Sequence, residues 1–165
     1  MQFDISGNNL GTELISSISA LTINNLITKE QKNKFPLLIV QVSSPQNKES
    51  KRFVYSFADL DIINSKLSII DTVMLAFVHK SYGEVYLLLD DEAQKNTSAE
   101  KAIQFFSSID NRYGAAKSAT LNGFTIEAQD TIIKFEGILK RESTNNKIEI
   151  VMHKSNSNKV ISINI

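Results

Sequence analysis

The chain contains no cysteine, and that absence removes disulfides, thiolate nucleophiles and cysteine-rich zinc sites together. It fits a reducing compartment, so the expected location is the cytoplasm. An excess of charge of one sign is also missing, because 18 Lys and Arg balance 18 Asp and Glu. Phosphate binding needs a basic excess gathered on one face, so nucleic acid is not the expected partner. With net charge near zero, little repulsion opposes contact between copies. Long apolar runs are lacking too. The longest candidate, Leu67 to Leu89, is interrupted by Asp71, by His79 and Lys80, and by Glu84. It therefore falls short of the ~18 uninterrupted residues that span a bilayer. Met1-Gln2-Phe3-Asp4 carries an early acid and no basic stretch before an apolar core, so neither membrane nor secretory leader is expected.

Signatures of catalysis are equally sparse. The six glycines are scattered and form no phosphate-cradling loop. No Gly-x-Ser-x-Gly elbow occurs. Two histidines without cysteine do not make a histidine-rich metal site. Asp59-x-Asp61 and Asp90-Asp91-Glu92 could offer oxygen ligands to a hard cation, but neither continues into the spaced acidic loop of a calcium site. They read as solvated turns. Tyr55, Tyr82, Tyr86 and Tyr113 lack the interleaved basic residues of a single-strand nucleic-acid platform and read as core. The expectation is no catalytic residue, no metal and no cofactor.

What is present is a globular composition, 42% hydrophobic and 22% charged over 165 residues, enough for one domain spanning 1–165. Phe3 and Ile5 suggest a short strand. Leu10, Leu14, Ile18 and Leu21 recur at helical spacing after Asn8 and Asn9 as possible caps, with a strand over Ile18–Ile27 as the alternative. Phe35–Val42 and Arg52–Phe57 read as a hairpin with a long polar connection. Lys29–Lys34 reads as a solvated loop.

From Leu67 to Leu89, apolar residues occupy both odd and even positions. A pair of strands about the Lys80–Gly83 turn accounts for that pattern only if both its faces are covered. Thr97-Ser98-Ala99-Glu100 has the form of a capping box. Ala99, Ala102, Ile103, Phe106 and Ile109 follow at helical spacing, and Gly114 ends the run. The predicted helix is 98–110. The last forty residues alternate apolar with polar through three turns, as a meander with one wet face does. The expected class is α+β: a predominantly antiparallel sheet, sandwich or partly closed barrel, with that helix and a possible N-terminal one.

Leu75, Phe77, Val78, Tyr86 and Leu88 on the doubly apolar hairpin are the expected interface. Asp71, set among apolar neighbours, and His79, at a strand end, are the two candidate site residues. In a straight strand they stand about 26 Å apart and cannot be partners. The expected function is non-enzymatic: a structural or assembly protein, such as a phage or secretion-apparatus component, that self-associates through a β-rich surface. A monomeric or dimeric protein-binding module of inhibitor or immunity type is the alternative, and a small-ligand binder or enzyme with a dispersed site is the third reading. Self-association or another protein is the expected partnership.

Overall fold

The structure is a computed structural model that describes residues 1–6, 12–43, 50–127, 129, 131–155 and 157–165. Contacts divide the chain into two compact units, the first made of Met1–Ser65 with Asn122–Thr125, the second of Lys66–Leu121 with Ile126–Ile165.

The first unit contains β1 (Gln2–Ser6), α1 (Thr12–Leu26), α2 (Lys29–Lys34), β2 (Leu37–Ser43) and β3 (Ser50–Ser56), followed by the first residues of α3 (Phe57–His79). β2 is central. It pairs parallel with β1 and antiparallel with β3, where Val40 lies opposite Phe53. The expected hairpin is therefore present, and its sheet is mixed. Leu38, Val40 and Val42 are buried at alternate positions, on the strand that α1 contacts. The predicted N-terminal helix is α1, but it buries Ser16, Ser17, Ala20, Leu21 and Asn24, a stripe offset from the one the leucine spacing suggested. Its proposed caps, Asn8 and Asn9, lie outside the described residues. Two serines serve as packing because each O–H is spent on the preceding turn: Ser16 donates to Glu13 O and Ser17 to Leu14 O. Ser17 Oγ also accepts the Phe124 N–H at 2.9 Å. The neighbouring Gly123 is required there, since a Cβ would meet Ser17 Oγ at 2.5 Å and Leu14 O at 2.7 Å. Lys29–Lys34 is a short helix and not a loop, because Thr28 and Gln31 form a reciprocal capping box.

The second unit holds the rest of α3, then α4 (Tyr82–Leu88), α5 (Asp91–Asn96), α6 (Ala99–Tyr113) and the sheet β4 (Ser118–Glu127), β5 (Ile132–Lys140), β6 (Asn145–His153) and β7 (Val160–Asn164). The strands neighbour one another in that order, with β4 and β7 at the edges. The predicted meander is realised. β5 and β6 bury Ile133, Phe135, Leu139, Ile148, Ile150 and Met152 on one face. The opposite face is more polar and laced by Lys134–Glu127 and Lys147–Glu136 ion pairs, both at 2.6 Å, with Val151 buried among them. α3 approaches β5 at Gly137, where a Cβ would stand 2.2 Å from the Met74 methyl. The predicted helix 98–110 is α6. Its cap is Ser98, which accepts the Lys101 N–H, and not Thr97, which closes α5.

The α+β class holds, with helical residues outnumbering strand residues. The correction concerns 67–89: it is not a hairpin but the second half of α3 followed by α4. Apolar residues at both parities satisfy a deeply packed helix as well as a doubly covered strand. The buried positions Leu60, Ile63, Lys66, Ile70, Val73 and Phe77 recur at spacings of three and four, which only the helix explains. Asp59-x-Asp61 belongs to the start of this helix, where Ser56 Oγ accepts the Asp59 N–H at 3.0 Å. Asp90-Asp91-Glu92 likewise opens α5, with Asp90 capping the Ala93 N–H at 2.7 Å. Asp59 and the 90–92 grouping serve helix starts, where carboxylates offset the exposed amides; Asp61 instead accepts from Lys32 at 2.7 Å and from Asn24 at 3.0 Å.

Candidate functional site: a cleft beside α3

Helical geometry changes which candidate residues can meet. Asp71, Leu75, Val78 and His79 follow the i, i+4, i+7, i+8 pattern of one helix face. All four line a single cleft of about 430 Å³ in the second unit. Eight residues on a helix advance about 12 Å, less than half the strand distance. Met74 lies at the base of this wall, and the segment Lys117–Ala119 with Leu121 forms the other.

The cleft is apolar in its walls and charged at its rim. Leu75 is 53% exposed while its neighbour Met74 is buried. Asp71 and His79 are exposed, and their side chains make no hydrogen bond or ion pair among the described residues. Lys117 reaches Glu142 at 3.2 Å, an exposed pair worth little by itself. No nucleophile–base hydrogen bond is assembled among these residues. No group of three or more His, Cys, Asp or Glu that could hold a metal occurs among the described residues.

The other interface candidates separate. Phe77 is 1% exposed and sits in an aromatic cluster with Tyr82 and Phe106, ring centroids 5.6 and 5.1 Å away. It is therefore core and not interface; two residues from Leu75, a strand would place it on the same face, but a helix turns it inward. Tyr86 and Leu88 are half-buried on α4, whereas Leu87 between them is exposed. Lys117 was missed because its place in the cleft depends on tertiary approach. The exposed Leu87 was missed because strand parity pointed to its neighbours.

α3 is also long and apolar enough, by length and composition, to cross a bilayer. Ile70, Val73 and Phe77 on this helix are buried within the folded chain.

Two buried polar clusters stand apart from the cleft. Arg141 donates to Asp110 at 2.6 Å and to Asn146 at 2.8 Å, and to the Gly114 carbonyl. Asp110 also accepts the Tyr82 hydroxyl; burial and this carboxylate hold the phenol well above its usual range. The second cluster is Lys66, whose ammonium donates to the carbonyls of Ser155 and Ser157 at 2.9 and 2.8 Å. Burial pulls the amine below its ordinary 10.5.

Compared with known proteins, the chain matches no family model, no curated protein and no solved structure.

Proposed function

We propose that the protein is a non-enzymatic assembly protein that self-associates through the α3 cleft. The observation that carries this reading is Leu75, 53% exposed on the outer face of α3, with the half-buried Val78 beside it. Covering a leucine side chain contributes about 1.5–3 kcal/mol, and a chain of zero net charge offers little opposing repulsion. The contact surface is helical, so the β-rich interface expected from sequence is replaced by one built on α3.

The test is native mass by light scattering across a hundredfold range of concentration, for the wild type and Leu75→Lys. Assembly requires a wild-type multimer and a folded Leu75→Lys monomer. A wild type that stays monomeric at every concentration overturns self-association and shifts the same surface to a different protein partner, as in an inhibitor or immunity-type module.

A second reading has one specific observation behind it. A cleft of about 430 Å³ falls in the range of small-molecule sites, and apolar walls with a few polar groups suit them. Asp71, His79 and Lys117 at the rim favour a small molecule with an apolar body and polar groups at its ends. If Asp71→Ala, His79→Ala and Lys117→Ala all leave the binding of such molecules unchanged, this reading fails.

A further inference from the structure

A second groove, of about 230 Å³, runs beside β7 in the second unit. Ile161, Ser162 and Ile163 form its strand side; Ala93 of α5 and Ala102 and Phe105 of α6 face them. β7 is an edge strand, paired with β6 on one side. On its other side the chain starts a fifth strand and abandons it. Leu89 bridges Val160 in parallel, and the Asp90 N–H donates to Val160 O at 2.8 Å. Asp90 then caps α5 and turns the backbone away. Beyond Val160, the residues of β7 have no strand partner outside β6 among the described residues.

An unpaired strand edge is a template for an added strand. Main-chain bonds then supply affinity, and pockets for alternate side chains supply selectivity. Phe105 stands at this edge 57% exposed, an apolar surface waiting for cover. Lys101 also lines the groove, has no ion-pair partner among the described residues, and meets no acidic lining residue. The charge that complements it is a carboxylate.

We propose that this groove binds an extended segment of another protein by strand addition to β7, with an apolar side chain against Phe105 and Ala102 and an acidic group at Lys101. The site shares no lining residue with the α3 cleft, and its occupant is an extended segment of another protein.

The probe is a fluorescein-labelled hexapeptide of alternating leucine and threonine carrying one glutamate, titrated against the full chain by fluorescence anisotropy. Saturable binding in the micromolar range, about 1–100 µM, is expected of a strand-addition site. N-methylation of alternate peptide amides should weaken it about tenfold or more, because the ladder cannot form. Phe105→Ser and Lys101→Glu should each weaken it roughly fivefold. Both are exposed positions, and circular dichroism checks that the fold survives. Leu75→Lys should leave peptide binding unchanged, which separates failure of this site from failure of the α3 reading. No saturation by about 1 mM, equal binding of the N-methylated peptide, or indifference to both variants overturns the proposal. So does a wild-type multimer that Phe105→Ser and Lys101→Glu both dissolve, since the occupant is then a second copy.

Discussion

Lys66 and Arg141 are both buried cations of the second unit, at 1% and 6% exposure, and they are housed in opposite ways. Arg141 sits in a network with a carboxylate, an amide oxygen and a carbonyl reached through Nε and Nη1, while its Nη2 is buried without a partner; its carboxylate is held in turn by a tyrosine. Lys66 has two backbone carbonyls and no ion-pair partner among the described residues. The difference follows from what each group can shed. A guanidinium cannot lose its proton inside a protein, so its burial demands a counter-charge. An ammonium can, and the neutral amine still has two N–H groups for two carbonyls. The fold therefore gives its buried carboxylate to the cation that has no other escape.

The sharpest way to break this contrast is Arg141→Met, which strands Asp110 as an uncompensated buried charge. A loss of about 3–5 kcal/mol in urea unfolding is expected. Arg141→Lys keeps the charge but not the fork that reaches Asp110, Asn146 and Gly114 together, so about 1–3 kcal/mol should go. If Lys replaces Arg without loss, charge alone and not fork geometry is what the network needs. Tyr82→Phe removes one donor from Asp110 and should cost about 1–2 kcal/mol.

Lys66→Met should be the mildest, within about 1 kcal/mol of wild type in either direction, because both abandoned carbonyls belong to exposed residues that water can reach. Its signature lies in pH. The folded amine titrates below its ordinary 10.5, so the unfolded chain binds more protons between the two values. The stability that Lys66 contributes is complete above 10.5 and is lost as pH falls through the folded value. Tyr82 works in the other direction: with its folded pKa raised, its contribution is present below 10 and is lost as pH rises through the folded value. The difference between wild type and Lys66→Met, followed by denaturation from pH 7 to 11, isolates the lysine. A difference that stays flat would show that Lys66 is solvated like a surface amine.

The contrast between the cations was invisible in sequence, where each is a basic residue with a polar neighbour beside it. Other parts were legible because local chemistry decides them. The C-terminal strands alternate apolar with polar because one face is wet, and α6 carries its cap and its terminal Gly114, at φ 83. α3 escaped because its burial stripe begins at Phe57 and passes through Lys66, a residue no apolar pattern includes. Ser56 and Asp59, spaced as Ser or Thr and an acid are in a capping box, were the signal that could have announced it. Asp71, Leu75, Val78 and His79 were chosen from sequence and do share one cleft, although for a helical reason and not the strand-based one. The β7 groove needs α5, α6 and a strand end to converge, which no local pattern records.

The parallel pairing of β1 with β2 has a consequence for the order of assembly. β2 and β3 follow one another in the chain and pair antiparallel, whereas β1 must wait for α1 and α2 to be made before its partner arrives. During synthesis its backbone stays open throughout that interval, a period in which a chaperone or a neighbouring nascent chain can compete for the same edge. The first strand made therefore waits through two helices for its partner.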